Sequence, residues 1–123
     1  MNSMQHEFNA VCEHLIKQGK PAMGEEGCMY RAEDGAMCAV GCRIPDSLYK
    51  PEMEGMMLES LVAQFSVFLP PEIVEYYDMF KDMQRAHDNM SVLDSDEMIP
   101  FLKRQLRKVA HDYALEIPSC ISE

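Results

Sequence analysis

No run of apolar residues in the chain approaches the roughly 18 that a membrane-spanning helix needs. The opening residues, MNSMQHEFNAVCEH, lack the basic start and apolar centre of a secretory signal and carry acids and histidines instead. No glycine-rich phosphate loop of the Walker or dinucleotide type occurs. Closely spaced C-x2-C pairs are missing too, and the five cysteines are an odd number, which does not suit a secreted disulfide framework. These absences point to a cytoplasmic protein whose thiols stay mostly reduced.

Basic residues are scarce. Eleven Lys and Arg stand against 21 Asp and Glu, a net charge of −10. The deficit is local: residues 52–97 hold eleven acids and two bases, against seven and five in residues 1–51 and three and four in residues 98–123. Direct binding to nucleic acid needs a basic surface and is disfavoured. An acidic field suits a basic partner surface and speeds association with it. Solubility alone also accounts for a solvated acidic face.

At 123 residues the chain reads as a single domain, residues 1–123, able to bury roughly two thirds of the surface its unfolded form exposes. Twelve methionines are the most unusual count. Methionine fills irregular cores, and it also lines surfaces that repack against partners.

Apolar periodicity lays out four main helices. From Met4 to Gln18, Phe8, Val11, Cys12 and Leu15 share one stripe, and Gly19 with Pro21 marks the stop. Leu58, Leu61, Val62 and Phe65 carry a second helix, ended by Pro70-Pro71. The third is expected from Pro71 to about Asn89, with Ile73, Tyr76, Tyr77, Phe80, Met83, Gln84 and His87 on one face. Asp78, Lys81, Asp82, Arg85, Asp88 and Asn89 take the opposite face. The last runs from Ser95 to about Leu115, with Asp94 and Glu97 in capping-box spacing and Pro100 as a kink in the first turn. Its Lys103, Arg104, Arg107 and Lys108 form a basic patch expected to pair with acids of the same chain.

Between the first two helices lies the most distinctive segment, CMYRAEDGAMCAVGCRIPDSLY, Cys28 to Tyr49. CMYRA and AMCAV read as two short strands joined through Glu33-Asp34-Gly35, a type I′ turn signal. Strand alternation puts Cys28, Tyr30 and Ala32 inward. Arg31, near the turn, is expected to pair with Asp46 or Glu54. The expected fold is therefore α+β, about four helices packed with a two- or three-stranded antiparallel hairpin. Phe8, Leu15, Leu61, Phe65, Phe80, Leu102 and Leu106 are its expected core.

Tyr30-Arg31, Gly35, Cys38-Ala39-Val40-Gly41-Cys42, Ile44-Pro45-Asp46, Tyr49 and Glu54-Gly55 form a recognisable run, followed by Gln84-Arg85-Ala86-His87-Asp88 on a helix. The pattern resembles a family of small uncharacterised phage and prophage proteins with a YR…G…CA-G-LIPD…Y…EG hairpin motif and an LQ..HD helix. This chain departs by carrying Met83 for leucine and Arg43 for an apolar residue. The resemblance implies a fold and a phage context, and no activity.

Three chemistries compete with a plain binding role. Cys28, Cys38, Cys42 and His87 would supply a Cys3His set for zinc, although their spacing is not that of a zinc knuckle. His87-Asp88 and His111-Asp112 read as HD dyads of a metal-dependent phosphohydrolase, but the helix phases keep the histidines apart. A nucleophilic Cys38 or Cys42 beside His87 has no adjoining basic cluster in the sequence. His87 is expected to be a core histidine that donates to a hairpin carbonyl. The acidic composition, with the phage context that the resemblance implies, favours a non-enzymatic accessory protein that binds and modulates a host or viral protein with a basic surface, such as an inhibitor of a defence or nucleic-acid-handling factor. A zinc- or thiol-dependent small enzyme is the alternative. The acidic surface for that binding is expected from Asp78, Asp82 and Asp88, extended from the helix ends by Glu72, Glu75, Asp94 and Asp96, with the methionine-bearing segment Met53 to Met57 as the next surface.

Overall fold

A computed structural model describes residues 1–123. It is mostly helical: α1 (Met4–Gln18), α2 (Leu58–Phe65), α3 (Pro71–Glu75), α4 (Tyr77–Asn89) and α5 (Ser95–Asp112), with an antiparallel hairpin of β1 (Met23–Gly24) and β2 (Gly27–Cys28). The expected α+β class holds, with four helices of seven residues or more and two strands. No helix is long and apolar enough to cross a membrane.

Helix α1 starts where the Ser3 hydroxyl accepts the N–H of His6 at 3.1 Å, and it ends at Gly19. Its stripe of Phe8, Val11, Cys12 and Leu15 is fully buried against Leu61, Phe80, Leu102 and Leu106 in one continuous core. Phe65 is a correction: it is half-buried and packs on the edge of that core.

The third expected helix is broken in two. Tyr76 leaves helical geometry at φ −104° and ψ 37°, separating α3 from α4. Both sides of the break are tied to Asn2. Its backbone N–H donates to Oε2 of Glu72 at 2.7 Å, and the Tyr76 hydroxyl donates to its carbonyl at 2.8 Å. Helix α5 keeps Pro100 in its interior, and the box between Asp94 and Glu97 does not form: Asp94 makes no side-chain cap bond. Pro100 has no N–H to donate to the carbonyl of Asp96, a residue exposed to solvent.

The hairpin is displaced from its expected register. The paired strands are Met23–Gly24 and Gly27–Cys28, and the expected arms 28–32 and 36–40 meet only in one bridge, Arg31 with Met37. The ladder stops because the second arm turns away into a single 3-10 turn, Gly41–Arg43. The loop between the arms is not a type I′ turn, since Gly35 alone takes positive φ, at 92°. Gly35 N–H donates to Ala32 O at 3.1 Å and Ala32 N–H donates to Ala36 O at 2.8 Å, which is a type I turn closed by a glycine bulge. Where a third strand would lie, the Gln18 amide takes its place: Oε1 accepts Met37 N–H at 2.8 Å and Nε2 donates to Met37 O at 2.9 Å.

Candidate functional site

Two networks fix the Cys28–Gly55 segment: one, around Glu54, lies within it, and the other ties it, together with Ala22 just before it, to α4. The first centres on Glu54. Its carboxylate accepts the consecutive N–H groups of Tyr30 and Arg31 at 2.9 and 3.0 Å, and the Tyr49 hydroxyl at 2.6 Å. The Arg31 guanidinium lies 4.7 Å over the Tyr49 ring, donates to the Ile44 carbonyl at 2.6 Å and pairs with Asp46 at 2.7 Å. The expected Arg31 pairing is therefore present, with Asp46 on the side chain and Glu54 on the backbone. Tyr30 points inward and donates from its hydroxyl to Met56 O at 2.6 Å. Gly41 lies so close that a Cβ there would collide with the Tyr30 carbonyl.

The second network is on α4. Gln84 Oε1 accepts Val40 N–H at 3.2 Å, and His87 Nε2 accepts Ala22 N–H at 2.9 Å. Asp88 Oδ1 orients both side chains, taking Gln84 Nε2 at 3.1 Å and His87 Nδ1 at 2.9 Å. A backbone N–H can only donate, so Nε2 of His87 is bare and Nδ1 carries the proton. His87 is a core histidine as expected, but it accepts from the hairpin segment instead of donating to a carbonyl.

That tautomer decides the metal question. Cys28, His87 and Asp88 bring their ligand atoms within 4.8 Å of one another, whereas Cys38 and Cys42 stand outside the group. Gly41 N–H donates to the Cys38 sulfur at 3.2 Å, and the Cys42 thiol donates to Ala39 O at 3.3 Å. The expected Cys3His set is not assembled. The set that is assembled does not fit zinc either, because a metal at Nδ1 would need an imidazolate whose Nε2 is already engaged. His111 is exposed and His14 bonds to the Met37 carbonyl at 3.0 Å, so no second histidine converges on His87.

Cys28, His87 and Asp88 also have the composition of a nucleophilic triad, and the same bond disables it. The imidazole lone pair that would accept the thiol proton is spent on Ala22. Burial, with the Asp88 carboxylate next in effect, pushes the Cys28 thiol up to about 11. Burial likewise holds Cys38 and Cys42 up at about 12, and it raises Cys12 and Cys120. None of the five is a ready thiolate.

The expected acidic row is partly dismantled by internal bonds. Glu72 is buried and bonded to Asn2, and that bond holds its carboxyl below the usual range. Asp82 accepts the Tyr113 hydroxyl at 2.8 Å, and Asp88 is half-buried in the α4 network. Glu75 and Asp78 remain exposed, joined elsewhere by Glu52, Glu59, Asp94, Asp96 and Glu97. The basic patch on α5 is half consumed. Arg107 reaches Ile121 O at 2.8 Å and Lys108 reaches Asp112 at 3.1 Å, while Lys103 and Arg104 have no acidic partner.

Beside the two networks lies a cleft of about 460 Å³, between α4 on one side and β2 with residues 55–59 on the other. Met29, Met56, Met57, Leu58 and Tyr77 supply its apolar lining, and Cys28 and Asp88 open onto it. Sequence periodicity did not single out this place, because its walls come from three separated segments; the pair Met56-Met57 after Gly55 was the available signal. No family model, no curated protein and no solved structure matches the chain.

Proposed function

We propose that the chain is a phage-type accessory protein that works by binding a host or viral protein through a basic surface of that partner, in the host cytoplasm. The observation that supports this most is the distribution of unpaired charge. Six of the eleven Lys and Arg residues are tied to carboxylates of their own chain, and those pairs engage only six of the 21 acids. The acids left over face water on several elements, so the molecule presents a negative field with little internal relief. A partner that handles nucleic acid, or a defence factor with a basic groove, has the complementary surface. The absence of any free base beside a thiol, and the engaged lone pair of His87, favour binding over the zinc or thiol chemistry that competes with it.

Affinity capture from host lysate at low and high salt tests the reading. The specific partner should be lost as the Debye length falls from about 10 Å at 0.1 M salt to about 3 Å at 1 M. The charge reversals Glu75→Lys and Asp78→Lys together should reduce its capture at low salt. A partner held equally at both salts, and equally by the double variant, would refute an electrostatic binding role.

A further inference from the structure

Charges of both signs line the 460 Å³ cleft, and no ion pair joins one wall to the other. From α4, Lys81 has no ion pair and Arg85 reaches Asp82 only at 3.9 Å. These are the only two cations of residues 52–97. From the other wall, Glu26 and Glu59 are exposed and reach no cation of the chain. Asp88, on the α4 side, is occupied by Gln84 and His87. No ion pair joins Lys81 or Arg85 to Glu26 or Glu59, and Met29, Met56 and Met57 line the same cleft. Met57 stands at the mouth, 78% exposed.

We propose that this cleft docks a polypeptide segment of the partner, one that inserts an apolar side chain and carries charges of both signs beside it. The inference rests on the binding role proposed above and assigns its site. A volume of this size lies inside the usual range for ligand sites, about 300–1,000 Å³. A small anion would meet Glu26 and Glu59, and a small cation would meet Lys81 and Arg85. A chain with an acid on one side of the anchor and a base on the other satisfies both walls at once. The flexible thioethers of Met29, Met56 and Met57 adapt to the shape of the anchor, as methionine-lined recognition surfaces do. Met57, being exposed, is free to close over it, at the rotamer-entropy cost that ordering a methionine carries.

The test is a selection from a displayed random-peptide library on the immobilised full chain, with the strongest peptide then titrated into methyl-labelled protein. Enriched peptides should share one Met, Leu or Phe with an acid and a base close by. They should move the methyl signals of Met29, Met56 and Met57. Met57→Glu and Lys81→Glu should each weaken the peptide about tenfold or more, whereas Val67→Glu, an exposed apolar position outside the cleft, should leave it nearly unchanged. Peptides that instead respond to Glu75→Lys and Asp78→Lys would overturn the cleft and leave the accessory-protein reading standing. Failure to enrich any peptide over bare matrix would overturn the polypeptide occupant. Self-association in sedimentation equilibrium that Met57→Glu abolishes would give the cleft to a second copy and overturn it as well. Salt-insensitive partner capture sinks the electrostatic reading alone.

Discussion

Ala22 donates its backbone N–H to Nε2 of His87 at 2.9 Å, and this one bond fixes both the tautomer of a buried imidazole and the seat of the chain between α1 and β1. Nitrogen-15 spectra should show Nε2 bare and Nδ1 protonated. The reverse pattern would contradict the assignment and reopen His87 as a general base. His87→Ala leaves a buried donor without a partner and opens a cavity, so it should destabilise the protein by about 2–4 kcal/mol in urea denaturation.

The corner around Glu54 should prove far more sensitive to Glu54 than to Asp46. Glu54→Ala leaves two backbone N–H groups and the Tyr49 hydroxyl without their acceptor, a loss of about 3 kcal/mol or more. Asp46 pairs with Arg31 from a side chain that is 95% exposed, so Asp46→Ala should cost less than about 1 kcal/mol. Denaturation of the two variants ranks them directly, and a larger loss at Asp46 would mean the corner is held from outside.

Ala114→Gly should stabilise the protein. Ala114 sits at φ 55° just past α5, with its N–H on His111 O at 3.2 Å and the next N–H, of Leu115, on Ala110 O at 2.8 Å. This is the Schellman arrangement, with alanine where glycine is unstrained. Relief of the left-handed strain, less the greater freedom of glycine in the unfolded chain, leaves about 0.5–1 kcal/mol. A thermal melt that moves downward would show that the strain is absorbed elsewhere.

Alkylation of Cys28 should be slow at neutral pH and keep accelerating well above pH 9. Its rate follows the thiolate, and the thiol is held up at about 11 against an ordinary value of 9.0. The sign for stability follows from the same shift. The folded state binds this proton more tightly than the unfolded state, so the contribution is complete below pH 9.0 and is lost as pH rises through about 11. Peptide mapping after timed iodoacetamide treatment gives the profile, and a plateau near pH 9 would rule the shift out.

The helices were legible in the sequence wherever a single stripe of apolar residues decided them. The bounds of α1, Met4–Gln18, follow from Phe8, Val11, Cys12 and Leu15 and from the stop at Gly19. The break at Tyr76 was not legible, because the bonds flanking it join Glu72 and Tyr76 to Asn2, some 70 residues away in the chain. The acidic row failed for a related reason. A helical wheel gives the phase of Asp82 and Asp88, but not the Tyr113, Gln84 and His87 groups that claim their carboxylates. Arg43 is a further case: no local pattern pairs it, and it forms a two-pronged pair with the buried Glu7 at 2.9 and 2.8 Å, 36 residues away in the chain.

The hairpin segment has a consequence for the order in which the chain folds. Its strands pair over two residues each, a few further backbone bonds close the loop from Tyr30 to Cys38, and the side chains of Gln18, Glu54, Gln84 and His87 anchor its backbone to the remainder of the chain. Two of those anchors leave the ribosome well after the segment they hold. Residues 20–43 therefore cannot settle during synthesis until α4 has emerged and docked, and a peptide of that span alone should be disordered. Loop closures this long are slow relative to helix formation, so the hairpin should appear late in refolding, after the helical core. Until then its backbone N–H groups exchange freely, and pulse-labelled hydrogen exchange would find Ala22 and Tyr30 among the last to gain protection.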